Sequence, residues 1–171
     1  MDYVKYYHLE DYLFTDVTTA FRTRGFLTPE EFFSIVIWKA NRAKTAVKRR
    51  MLAHVTPLRA AVESLTRSIA KSDNDADRLR ILTREWGFRL PMASAILTVL
   101  YPDRFTVYDF RVCGQLGLDD FSENRGQVEK YFSDFLPMVS AVRGPTSLRD
   151  KDRHLWGKSA YQSLRKFVAA Y

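Results

Sequence analysis

The stretch Gly87-Phe88-Arg89-Leu90-Pro91-Met92-Ala93-Ser94-Ala95-Ile96-Leu97-Thr98-Val99-Leu100, followed by Thr106-Val107-Tyr108-Asp109-Phe110-Arg111-Val112, decides the fold of this chain. Gly87 ends one helical pattern and Pro91 opens the next, with three residues between them. Glycine takes the left-handed conformation that stops a helix, and proline suits a first helical turn. The 91–100 segment is apolar on most sides, which marks a buried helix rather than a surface one. Thr106-Val107-Tyr108 reads as extended, and Asp109 as the cap of a short helix over 110–116. Residues 79–112 are therefore expected to form an antiparallel helical hairpin with the 91–100 helix at the centre.

Helical signals continue in both directions. Tyr3, Tyr6, Tyr7, Tyr12, Leu13, Val17 and Phe21 fall near helical spacing over 2–23, with Gly25 as a stop. Thr28-Pro29-Glu30-Glu31 combines a cap, a first-turn proline and a capping-box glutamate. That helix is expected to break near Asn41, with another over 43–54. Thr56-Pro57 repeats the Thr-Pro start, and Leu58, Val62, Leu65 and Ile69 follow in register. The polar run Ser72–Asp77 supplies caps for a helix over 76–86. Beyond the hairpin, 117–122 reads as a loop, with Asp119 and Asp120 as solvated or capping carboxylates. A helix over 124–136 is expected to end at Pro137, and Gly144-Pro145 is a break. Ser147 opens a last helix with a weak point at Gly157, docked by Leu148, Leu155, Trp156, Leu164 and Phe167. Glu10, Asp11, Asp150 and Asp152 read as solvated or capping carboxylates. The expectation is an all-α, compact helical domain over 1–171, in one or two lobes.

Composition bounds the function. Hydrophobic residues are 46% of the 171, with twelve Phe and nine Tyr, enough to fill a core and too many for a disordered chain. Seven Gly and six Pro are too few to punctuate a many-stranded β fold. One cysteine, Cys113, excludes an internal disulfide and suits a reducing compartment. The opening residues lack a basic stretch followed by an apolar run, and no segment approaches a membrane span, so an intracellular, cytoplasmic protein is expected. His8, His54 and His154 have no metal-ligand spacing, and no metal or other cofactor is expected.

Lys and Arg number 27 against 20 Asp and Glu, a net charge of +7, which favours polyanionic partners. The charge is concentrated. Lys39, Arg42, Lys44, Lys48, Arg49 and Arg50 lie in a strip without an intervening acid. Such a strip reads either as a solvated helix face or as a track that follows nucleic-acid phosphates. Duplex DNA is the expected partner under the second reading, with no membrane.

The central segment resembles the helix-hairpin-helix DNA glycosylase superfamily, typified by endonuclease-III-like and adenine-glycosylase enzymes. The resemblance rests on Ala93-Ser94-Ala95-Ile96-Leu97 in the second hairpin helix and on Val107-Tyr108-Asp109-Phe110-Arg111-Val112 after it, some forty residues with their flanks. It puts Asp109 on the family's catalytic aspartate and Pro91 on the position where bifunctional members carry a lysine. The resemblance thus implies DNA binding and a monofunctional base-excision glycosylase, without Schiff-base strand cleavage. A carboxylate there would stabilise positive charge building at C1′ and orient or deprotonate the attacking water. The hairpin keeps one glycine, Gly87, where the family has several, and Arg89 with Arg111 would supply phosphate contacts. The lone cysteine excludes the iron–sulfur cluster of some members. A displaced base needs an aromatic or apolar pocket, for which Tyr108, Phe110, Trp38 and Trp86 are the candidates. Asp109 as a plain N-cap, in a catalytically silent binder of nucleic acid or protein, is the alternative.

Overall fold

A computed structural model describes residues 3–118 and 128–170; the expectations for Asp119, Asp120 and the loop and helix start around 117–127 lie partly or wholly outside these residues. The described residues are helical, with no strand among them. In chain order the helices are α1 (Val4–Tyr7), α2 (9–24), α3 (Pro29–Ala40) and α4 (Lys44–His54). They continue with α5 (Leu58–Lys71), α6 (75–85), α7 (Leu90–Leu100) and α8 (Phe110–Leu116). The last two are α9 (128–140) and α10 (Leu148–Ala169).

Most boundaries fall where local chemistry puts them. Thr28 Oγ1 accepts from the Glu31 N–H at 3.3 Å while the Glu31 carboxylate accepts from the Thr28 N–H at 2.8 Å, a complete capping box. Gly25 and Gly87 stop α2 and α6 in the left-handed region, at φ of 72° and 65°. Asn74 caps α6, accepting from the Asp77 N–H at 2.9 Å. Asp109 caps α8, accepting from the Arg111 N–H at 3.0 Å. A 3₁₀ turn over Asn41–Ala43 makes the break between α3 and α4.

Three expectations are corrected. The Thr56–Pro57 bond is cis, and Pro57 itself occupies the cap position of α5, so Thr56 does not cap that helix. α9 runs through Pro137 instead of stopping there. It does so because a wide π turn over Tyr131–Phe135 precedes the proline, and Pro137 then falls in the first turn of the following α segment, where an N–H is dispensable. α10 is unbroken at Gly157. Its anchoring is also different: Leu155 is buried, whereas Trp156, Leu164 and Phe167 are exposed. The body grips α10 near its start and along α8, where Gln115 bonds Gln162 at 2.8 Å.

The core is one hydrophobic cluster running from Tyr12 to Leu155. Its axis is α7, buried at Leu90 and at every position from Met92 to Leu100 and packed by α2, α3 and α6. Thr18 Oγ1 ties α2 to it, donating to the Val99 carbonyl at 2.7 Å.

Behind α7, residues 101–109 turn and then run extended without a sheet partner. Buried backbone groups need partners nonetheless. Tyr131 Oη accepts from the Thr106 N–H at 3.0 Å and donates to the Thr106 carbonyl at 2.7 Å. Ser94 Oγ accepts from the Tyr108 N–H at 2.9 Å. Two side chains thus replace a neighbouring strand, and burial pushes the Tyr131 phenol far above its usual range.

Ala95→Arg places an unpaired charge inside α7 and is expected to unfold the domain or nearly so, since such a charge costs several kcal/mol. A thermal midpoint within a degree or two of the parent by circular dichroism would contradict a buried α7. Tyr131→Phe strips both bonds from Thr106 and is expected to cost about 1–3 kcal/mol, read as a lowered urea midpoint with unchanged slope.

Candidate functional site

A cavity of about 330 Å³ opens where α3, the extended segment and α10 meet, with α2 at its edge. Its lining is Glu10, Trp38, Lys39, Val107, Asp109, Arg149, Asp152, Arg153 and Trp156. The volume lies at the lower end of the roughly 300–1,000 Å³ of small-molecule sites. Lys39, Asp109 and Asp152 are largely enclosed and form the floor, while Arg153 and Trp156 are about half exposed and form the rim.

Each element delivers its residues for a local reason. α3 ends with Trp38 and Lys39, one turn past its buried Ile35 and Val36. The Tyr131 and Ser94 bonds fix the extended segment, so Val107 and Asp109 reach the cavity as α8 begins. On α10, Arg149, Asp152, Arg153 and Trp156 are spaced three, four and seven residues from the first, which places all four on one helix face.

The charges are paired. Lys39 Nζ donates to Asp109 Oδ2 at 2.8 Å, with the two side chains 16% and 14% exposed. Asp109 Oδ1 is the oxygen that caps α8. Arg149 bonds both Asp152 and Glu10, and Arg153 donates to Glu10 at 2.8 Å. The Arg149 guanidinium also lies 5.1 Å from the Phe14 ring and 5.2 Å from that of Trp38, so it is held from its faces as well as its edges. Between them these contacts hold the Glu10 carboxyl below its usual range: burial opposes this, but the bonds and charges of Arg149 and Arg153 prevail. Asp152 goes the other way. Burial raises its carboxyl above the usual range and the charge of Asp109 adds to that, against the pull of Arg149 and Lys39.

The residues singled out from sequence are distributed unevenly around this cavity. Asp109 and Trp38 line it. Lys39, expected in the phosphate strip, instead faces Asp109. Arg42, Lys44, Lys48, Arg49 and Arg50 are exposed along the connection and α4, and Arg50 donates to the Gly87 carbonyl, which brings the far end of the strip to the turn between α6 and α7. Arg89 is exposed at that turn. Arg111 lies beside the rim, its guanidinium 5.5 Å from the Trp156 ring. The other three pocket candidates do not line the cavity. Tyr108 is buried against Phe135, with ring centroids 4.9 Å apart; Trp86 is buried under His54, 4.6 Å away; Phe110 is 67% exposed.

Sequence reading missed Glu10, Arg149, Asp152, Arg153 and Trp156. The one available signal was the common face of the four α10 residues, which mixes two arginines, a carboxylate and a tryptophan where a docked helix would normally show aliphatic side chains.

The lining can accept a flat, partly polar ligand: two indoles supply apolar surface, and carboxylates and cations supply edge contacts. Among the described residues no cluster of His, Cys, Asp and Glu could hold a metal ion, and no helix is long and apolar enough to cross a membrane. No protein-family model, curated protein or solved structure matches the chain.

Proposed function

We propose that this chain binds duplex DNA and releases a base from it by hydrolysis of the N-glycosidic bond, as the resemblance around Asp109 implies. One observation carries the reading. Asp109 lies in a cavity with Trp38 and Trp156, while exposed cations extend from Arg42 to the hairpin at Arg89. A base leaving the stack needs such walls, and the duplex needs such cations. Asp109 would stabilise the positive charge that develops at C1′ as the base departs and take a proton from the attacking water. Lys39 pairs with that carboxylate at the cavity floor.

A second reading is favoured by a specific feature. Both Asp109 oxygens are occupied, one by Lys39 and one by the α8 cap. A carboxylate so engaged also suits a silent binder in which Asp109 only joins α3 to α8. Base release by the parent that is lost in Asp109→Asn separates the two.

Binding is expected to weaken steeply with salt. Lys48→Ala combined with Arg49→Ala should reduce the slope of log affinity against log salt by about two units, read by fluorescence anisotropy on a labelled duplex. Absence of any DNA or RNA binding at low salt would remove the nucleic-acid reading.

Chemistry is tested with duplexes carrying alkylated, oxidised, deaminated or mismatched bases. At least one is expected to acquire abasic sites, revealed by alkali, with no strand break beforehand and no borohydride-trapped adduct. Asp109→Asn is expected to abolish release while keeping the native helical spectrum, because Asn caps α8 about as well as Asp; the melting temperature should fall, since the enclosed Lys39 ammonium loses its partner. Unchanged activity in Asp109→Asn would exclude the mechanism. A trapped adduct would contradict monofunctional hydrolysis and point to Lys39, the amine at the cavity floor.

A further inference from the structure

The cavity holds a second enclosed carboxylate that the proposed reaction has not used. Asp152 is 2% exposed, lines the same cavity as Asp109, and sits one helical turn before Trp156. The two carboxylates come from different walls, Asp109 from the end of the extended segment and Asp152 from α10. Breaking a bond between C1′ and a base nitrogen requires help at both ends. The sugar carbon gains positive charge, and the base leaves with the bonding electron pair. A single carboxylate cannot serve both ends at the same moment.

We propose that Asp152 is the general acid of this site, protonating the departing base while Asp109 attends to the sugar. This rests on the base-excision reading and assigns its second half. The C1′–N bond breaks and its electron pair passes to the base, which takes the Asp152 proton on a ring nitrogen or keto oxygen. Water adds to C1′ and gives its proton to Asp109. Exchange with solvent returns the proton from Asp109 to Asp152, so one water is consumed and both carboxyls are restored.

The two groups are held differently. Both oxygens of Asp109 are engaged, one by the Lys39 ammonium and one by the Arg111 N–H, whereas among the described residues Asp152 has one side-chain partner, Arg149, which bonds its Oδ2. Asp152 is enclosed, and burial raises its carboxyl toward the protonated form. Arg149 on its own helix and Lys39 on α3 oppose this, while Asp109 reinforces it. Tyr131 on α9 also feels its charge, Glu10 on α2 shares Arg149 with it, and Arg153 on α10 lines the same cavity. Two carboxyls that share a cavity, one of them raised by enclosure, can divide acid and base roles between them.

The test compares two kinds of leaving group. 7-Methylguanine is already cationic and departs neutral without a proton, whereas hypoxanthine and other neutral bases need one. Asp152→Asn is expected to slow release of a neutral base by about 10²–10⁴-fold. Release of 7-methylguanine should change no more than a few-fold. Asp109→Asn should stop both. In the parent, release of the neutral base should fall as pH rises through the titration of Asp152, and that fall should be missing for 7-methylguanine; this comparison needs no variant. Asp152→Glu, which keeps the acid and the partner of Arg149, should retain the leaving-group pattern if Asp152→Asn does not fold. Equal losses on both kinds of base, a parent that releases only 7-methylguanine, or an alkaline fall shared by both would overturn the general-acid role while leaving base excision standing. A parent that releases no base at all would overturn base excision itself, and this role with it.

Discussion

The site depends on how an extended segment is held in a protein whose described residues contain no sheet. Residues 105–108 are buried, and their backbone groups have no neighbouring strand to meet. Tyr131 satisfies both groups of Thr106, and Ser94 satisfies the N–H of Tyr108. These bonds lie in the interior, where an unmade hydrogen bond is costly and a made one is stiff. Asp109 follows immediately and inherits their precision. Its position is set from α7 and α9, two elements that do not line the cavity.

The consequence for the cavity is a division between placement and chemistry. Asp109 is positioned by backbone constraints behind it and by its own cap, so Lys39 need only meet it. Arg149 plays the corresponding part on the α10 wall, engaging Glu10 and Asp152 while lying against Phe14 and Trp38. Nearly every charged group of the lining is thus oriented by another. A site so cross-braced keeps its shape before a ligand arrives, which is what electrostatic stabilisation of a transition state requires.

What could be read from sequence was what short-range chemistry determines. The Thr28 capping box, the Gly25 and Gly87 stops, the Asp109 cap and the buried α7 all follow from residues within a few positions of one another. Pro137 misled because proline is compatible with a helix when the turn before it is widened, and the widening over Tyr131–Phe135 has no local signature. The α10 residues were misjudged for a related reason. Leu164 and Phe167 have the spacing of a docked face, yet both side chains are exposed. Asp152 looked like one more surface carboxylate, since Lys39 and Asp109, which share its cavity and act on its charge, lie more than forty positions away. Trp38 was identified and its neighbour's role was not: Lys39 belongs by sequence to the basic strip and by contact to the cavity.

The formal charges that line the cavity nearly cancel, with Lys39, Arg149 and Arg153 set against Glu10, Asp109 and Asp152, and leave a surplus of one when Asp152 holds a proton. The chain's surplus of positive charge therefore resides mostly elsewhere, and the strip from Arg42 to Arg50 accounts for much of it. Mobile ions reach these two populations differently. At physiological ionic strength screening extends over about 8 Å of water, which covers the exposed strip fully and the enclosed charges at the cavity floor far less. The two populations are then governed by separate electrostatics, so under the proposed function the surrounding electrolyte would tune how long a duplex stays without altering what the cavity does to it.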